Sequence, residues 1–323
     1  MKLATYHDGS RDGQLVVVSR DLAQAHFATG IATRLQQVLD DWNFLSPQLE
    51  DLYATLEGGK ARHAFAFDPR RCLAPLPRAP QWVDALACPS HVERVWRARG
   101  LEVPPWLHAQ PLLEQRASDA LLAPVGEVRL AEPAAGIDCE AGLAVVTGDV
   151  AAGATPSQAL DGVRLLLLAL DWALREGDAG ALPPAGAFGP VAVTPDELGP
   201  AWDGGRARLH LHVRVNGRRL GLVDAAAGMQ FDFGRLVAGV ARTRALRAGS
   251  IVSAGPASVA DPGAGHCCIA EQRAVEALDH GAVMSGWLRH GDCVSADALD
   301  AAGQPVFGTV ELTVALRPAA QVA

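Results

Sequence analysis

The sequence predicts an α+β, β-rich protein with a small N-terminal domain ahead of a larger one. Three observations carry that reading. The most apolar stretches, around 136–148 and 163–170, have the alternation or unbroken apolar character of strands. Turn dipeptides at Asp8-Gly9, Asp12-Gly13 and Asn216-Gly217 sit where hairpins would close. A proline-dense segment with Pro69, Pro75, Pro77 and Pro80 reads as an extended linker. It places a domain boundary near residue 75, giving an α+β domain over 1–75 and a second domain over 76–323.

Taken in order, Lys2 to Tyr6 and Gln14 to Ser19 form an opening hairpin. Leu35, Val38, Leu39 and Trp42 have helical spacing within 32–43. Ser46 followed by Pro47 predicts the start of a second helix, fading at Gly58-Gly59. Thr155-Pro156-Ser157-Gln158 is a capping box opening a short helix, and Thr194-Pro195-Asp196-Glu197 is another, ending by Gly199-Pro200. Between them Val163 to Leu170 reads as a buried strand ending in Asp171. Arg206 to Val215 alternates as one strand, Phe231 to Leu246 reads as an amphipathic helix, and a hairpin of Cys293–Leu299 and Val306–Val314 closes the chain.

The bulk properties narrow the classes of function. With 323 residues, 49% hydrophobic and 20% charged, the chain can bury a large core. A net charge of -8 without any basic run argues against nucleic acid as a partner. The longest apolar run, Leu165 to Leu170, is too short to span a bilayer, so no membrane partner is expected. The six cysteines show no C-x-x-C spacing, and Met1 to His7 lacks the zones of a secretory signal, which points to reduced thiols in the cytoplasm. No G-x-S-x-G, phosphate-loop or dinucleotide fingerprint is present. His210-Leu211-His212 fits a solvated sheet face better than a metal site.

The stretch from Gly136 to Gly148 organises the rest. Read as a strand, it puts Asp138, Glu140 and Gly142 on one face and Ile137, Cys139 and Ala141 on the other. Carboxylates in so apolar a strand need either an ion pair or a metal ion. The stretch resembles the G-x-D-x-E-x-E signature of the fumarylacetoacetate hydrolase family, with Gly142 where the second glutamate of the pair is usual. The resemblance extends along the chain. Asp84 and His91 match a metal-binding aspartate and a catalytic histidine seven residues apart. Leu170-Asp171-Trp172-Ala173-Leu174-Arg175 is similar to N-D-V-S-x-R, and Gly249 to Gly255 is similar to G-T-I-x-x-x-G with Ser250 for Thr. Cys268 to Glu271 resembles a strand that supplies a late glutamate. Glu114 stands where a tyrosine is usual, Arg116 where a glycine is usual, and Pro183 at the lysine of K-x-x-x-x-F-x-P.

The resemblance implies a mixed β-sheet roll with a small N-terminal domain, assembled as a homodimer. It implies Asp84, Glu140 and Asp171 as ligands of Mg²⁺ or Ca²⁺, held weakly or not at all because Gly142 replaces a ligand, with water filling the space there. His91 would be the acid–base group, with Glu93, Arg175 and Glu271 in the catalytic set and Glu114, Arg116 and Ser250 contacting substrate. The implied substrate is a keto acid or β-dicarbonyl compound, handled by C–C hydrolysis, decarboxylation or dehydration. The missing lysine, tyrosine and second glutamate leave a second reading, a catalytically silent relative kept for binding or assembly. For Glu140 and Asp171, carboxylates paired with arginine and no metal remain an equal reading, and Asp84 reads also as a partner of His91.

Overall fold

The computed structural model describes residues 1–131, 135–176 and 182–317. Among these residues the chain builds an eleven-stranded mixed sheet and a five-stranded sheet, an α+β architecture in which strands dominate. The large sheet runs from the N-terminal strands Phe65–Ala66, Gln24–Phe27, Gln14–Val18 and Lys2–Tyr6 through Val191–Val193 to the long hairpin Val163–Glu176 and Ala135–Thr147. It continues through Ile251–Ser253 to Trp82–Leu86 and ends on the edge strand Leu112–Arg116. Lys2–Tyr6 pairs with Val191–Val193, so the N-terminal unit extends the main sheet directly.

The long hairpin is buried on both faces, which explains why its apolar residues run almost without interruption. One side packs Leu143, Val145, Leu166, Leu168, Leu170 and Trp172 into the larger core. The other packs Ala144, Val146, Leu165 and Leu167 with Trp82, Phe188 and the N-terminal Leu3, Leu15, Leu35 and Val38. The second sheet pairs His210–Val215 with Arg218–Asp224 through the Asn216-Gly217 turn, and with Cys293–Leu299 on its other side. His210 is exposed and Leu211 and Val213 are buried, the alternation of a sheet with one solvated face.

Several elements depart from the sequence reading, each for a local reason. The helix expected to start at Ser46 begins at Trp42, and Pro47 lies inside it. The break falls at Asp41, whose φ of -131° and ψ of 49° are not helical, separating this helix from Leu35–Asp40. The helix expected over 231–246 spans only Phe233–Val240. Its Asp232 cap accepts from the Arg235 N–H at 3.0 Å, while Leu246 exchanges both backbone hydrogen bonds with Val150 and is drawn into a bridge instead. The Val163 strand continues past Asp171 to Glu176. The strand read over 206–215 breaks between Ala207 and His210, and the last strand runs Val310–Arg317. Thr155 forms its capping box. Thr194 accepts instead from the Met1 amino group at 2.6 Å, and Pro195–Ala201 after it forms a 3₁₀ segment.

Candidate active site

Five neighbouring strands of the large sheet carry the site, and their register explains why residues far apart in sequence meet. Glu140 lies directly opposite Asp171 in the long hairpin. On the strands beyond it, Ser253 is in register with Asp84, and Asp84 with Glu114 on the edge strand. Arg116, two residues further on, shares the face of Glu114. Arg175 shares the face of Asp171 by the same period. Asp84, Asp138, Glu140 and Asp171 are all at most 5% exposed, so each needs a partner in the dry interior.

Acidic oxygens of Asp84, Glu140 and Asp171 come within 4.8 Å of one another. The Arg116 guanidinium stands among them. Its Nε is 2.9 Å from Asp171 Oδ2, and a terminal nitrogen is 3.8 Å from Glu140 Oε2 and 3.9 Å from Asp84 Oδ2. The same nitrogen is 3.3 Å from Glu114 on the rim. Nε and Asp171 Oδ2 touch without hydrogen-bond alignment, leaving both buried atoms unsatisfied among the described residues. Arg175 pairs with Glu140 and, at 3.1 Å, with Asp138.

Asp138 has a second task. Its two oxygens accept from the Ile269 and Ala270 N–H groups at 2.7 and 3.1 Å, capping the helix Ile269–His280. The segment from Cys268 to Glu271 is therefore not the strand the sequence suggested. Cys268 alone is strand-like, bridging Glu140, before the helix begins. That switch turns Glu271 inward, where it is 1% exposed. Its Oε2 is 3.2 Å from His91 Nδ1, and its Oε1 accepts from Ser258 at 2.7 Å and from Arg94. Cys268 Sγ is 3.6 Å from the same imidazole nitrogen. His91 itself projects from the helix Pro89–Ala98, which follows the Asp84 strand.

The electrostatics separate these groups. Burial, then the neighbouring Glu140 charge, push the Asp84 carboxyl up to about 6. Burial also lifts Asp171 well above the usual range, in spite of Arg116, and raises Asp138 in spite of Arg175. Glu140 goes the other way: burial works against it, but Arg175, His91 and Arg116 together hold it low. Burial likewise disfavours the Glu271 anion, yet His266, His91 and Ser258 around it hold it well below the usual range. Glu271 is thus a carboxylate, an acceptor only, so His91 Nδ1 carries the proton toward it. In the neutral imidazole, Nε2 is then the nitrogen with a free lone pair.

The donor set is of the type that hard divalent cations take, three carboxylates from three strands. Its geometry does not fit an ion together with Arg116. The gap between Trp82, Asp84, Glu140, Gly142, Asp171 and Ser253 is about 10 Å³, near the least that admits a water. The place of the missing glutamate's side chain at Gly142, expected to hold water, is taken up by protein. A Cβ there would lie 2.1 Å from the Gly255 carbonyl oxygen, because the loop after Ser253 packs onto this strand through Ala254 and Ala257.

Of the residues singled out from sequence, the structure brings together Asp84, His91, Arg116, Glu140, Asp171, Arg175 and Glu271, with Glu114 on the rim. Glu93 and Ser250 do not join them. Glu93 faces away from His91 along the helix, pairing with His108 at 3.1 Å and Arg97 at 3.5 Å. The Ser250 hydroxyl donates to the Arg247 carbonyl and accepts from Gln81. The hydroxyl that reaches the site is that of Ser253, which donates to Asp84 and accepts from Trp82 Nε1 at 2.8 Å. Ser253 and Arg94 were missed from sequence. Arg94 carries a legible signal, three residues past His91 on the same helix face. Ser253 carries only its strand register.

The fold, a mixed-sheet roll with a histidine–glutamate pair beside converging carboxylates, can be set against known families. Residues 1–78 match the fumarylacetoacetase N-terminal domain 2, and residues 81–315 match the fumarylacetoacetate hydrolase C-terminal domain. The chain belongs to the fumarylacetoacetate hydrolase family. No curated protein matches the sequence. Among solved structures it resembles a probable 2-hydroxyhepta-2,4-diene-1,7-dioate isomerase from Mycobacterium abscessus, at 19% identity over 99% of this chain and 100% of that one, with a TM-score of 0.68. Maleylpyruvate hydrolase from Sphingobium sp. SYK-6 is similar at 17% identity, covering 98% and 100%, with a TM-score of 0.66. The same hydrolase solved with manganese(II) and pyruvate gives 17%, 98% and 99%, and 0.64.

Proposed function

We propose that this chain is an enzyme acting on a small oxo acid or β-dicarbonyl compound by acid–base chemistry. The observation that carries the reading is the buried His91–Glu271 pair, 3.2 Å apart, set beside the Asp84, Glu140 and Asp171 carboxylates. Glu271 fixes the imidazole by accepting from Nδ1, which leaves Nε2 to take a proton from water or from carbon next to a carbonyl. The imidazolium so formed is stabilised by Glu271 and returns its proton to the product. Names of the structural neighbours, a maleylpyruvate hydrolase and a heptadienedioate isomerase, support oxo acids as the substrate class. Hydrolysis or cleavage of a C–C bond, decarboxylation and dehydration all need that proton transfer.

No step is routed through Mg²⁺ or Ca²⁺, since the Arg116 guanidinium lies within 3.9 Å of all three carboxylates that would hold the ion. The family places a lysine over the reacting centre, and Pro183 has no group to replace it. Arg116 and Arg175 are the positive charges within reach of the carboxylates. The homodimer the family resemblance implies would sediment at twice the 33.8 kDa chain mass.

A second reading, a silent relative kept for binding or assembly, is favoured by one observation: the gap among the carboxylates, about 10 Å³, does not admit an organic acid without rearrangement. A far roomier cavity, about 790 Å³, is lined by Lys2, Arg20, Glu197 and Asp300, away from His91. Assay against a panel of acylpyruvates and related oxo acids separates the two. The enzyme reading predicts turnover that falls by about 10²-fold or more in His91→Ala and less in Glu271→Gln. Turnover unchanged in His91→Ala, or none with any member of the panel, contradicts it.

A further inference from the structure

Arg116 reaches the carboxylate hollow from the edge strand, and 16% of its side chain is exposed. Its nitrogens lie 2.9 Å from Asp171, 3.8 Å from Glu140 and 3.9 Å from Asp84. A hard divalent cation would need oxygens of these same three residues at roughly 2.0–2.6 Å. The guanidinium borders the volume such an ion would fill, within 3.9 Å of all three carboxylates, and its charge repels a cation there. Two further features close the hollow. Asp84 Oδ1 is engaged by the Ser253 hydroxyl and by the Gly255 N–H at 3.1 Å. The Gly255 carbonyl occupies the space in front of Gly142, where a fourth oxygen ligand would have come from.

We propose that Arg116 is the resident cation of this hollow, holding Asp84, Glu140 and Asp171 together in place of a divalent metal and excluding one. Guanidinium suits this position because it stays charged in a buried setting and presents donors in several directions. Glu114, 3.3 Å away on the rim, steadies the outer side of the same group. The inference goes beyond the acid–base reading and holds whatever reaction His91 performs.

Manganese titration of the full chain, followed by the paramagnetic resonance signal of free Mn²⁺, tests it without any assay of turnover. Wild type is compared with Arg116→Ala and Arg116→Gln, the glutamine keeping a hydrogen-bonding head without the charge. Both variants should bind one Mn²⁺ at least about 100-fold more tightly than wild type, the scale of removing a unit charge about 4 Å away. Both should also melt at higher temperature with Mn²⁺ present, while wild type is unmoved. One Mn²⁺ bound by wild type as tightly as by the variants overturns the proposal, as does failure of all three to bind. Should neither variant fold, wild type still decides. A stoichiometric Mn²⁺ site in wild type that Asp171→Asn abolishes refutes the assignment, and no such site upholds it.

Discussion

Asp84 is held by the Ser253 hydroxyl and the Gly255 N–H on one oxygen and faces Arg116 with the other. Burial and then the Glu140 charge nonetheless lift its carboxyl from the ordinary 3.8 to about 6. A carboxyl raised in this way binds protons in the folded chain that it has lost in the unfolded one. Its contribution to stability therefore falls as pH rises from the unfolded value toward 6 and is flat above. Asp84→Asn removes that contribution. The variant should match wild type near pH 4 and exceed it by about 2 kcal/mol near pH 7.5, measured by denaturant unfolding across the window. A variant less stable than wild type at neutral pH would mean that the Arg116 contact outweighs the burial term. Glu271 shows the opposite sign. Its carboxyl is held low by His266, His91 and Ser258 against burial, so its stabilising effect is present at neutral pH and lost toward acid.

The strand Ala135–Thr147 is the element on which the site depends. Glycine at 142 is required by its neighbour: the Gly255 carbonyl would lie 2.1 Å from a Cβ there, and Gly255 adopts φ +70°, where other residues are strained. Gly142→Ala should cost about 3 kcal/mol, and Gly142→Glu should cost more rather than rebuild a metal site. Thermal unfolding checks both, and a stable Gly142→Glu protein that binds Mn²⁺ would contradict the packing described. This element also shows how far sequence alone could reach. The alternation of Asp138, Glu140 and Gly142 was legible, as was the strand itself. The partners were not. Strand register, which no local pattern encodes, sets Ser253 against Asp84 and Glu140 against Asp171. The strand reading of Cys268–Glu271 followed a motif resemblance, whereas Ile269–His280 is rich in helix formers and Asp138 caps its first N–H groups. Choosing Ser250 over Ser253 was a matching of motif letters; three residues along, the hydroxyl meets the site.

Across the whole molecule, one sheet joins both segments that match the family. Met1 donates to Thr194, Lys2–Tyr6 pairs with Val191–Val193, and the second core is built from residues on both sides of residue 75. We propose that the division near residue 75 separates two segments that fold together. Among the described residues no helix is long and apolar enough to cross a membrane. The site sits toward the edge-strand end of that sheet, where Arg116 can enter from the rim and the Val163–Glu176 strand supplies both Asp171 and Arg175. The proposed account of the molecule is that its charged hollow is completed from within the chain. The most direct measurement is an anomalous difference map at the manganese edge, from crystals of the full chain grown with Mn²⁺. The account predicts guanidinium density among Asp84, Glu140 and Asp171 and no anomalous peak there; a peak coordinated by those three carboxylates, with Arg116 turned out to the rim, would contradict it.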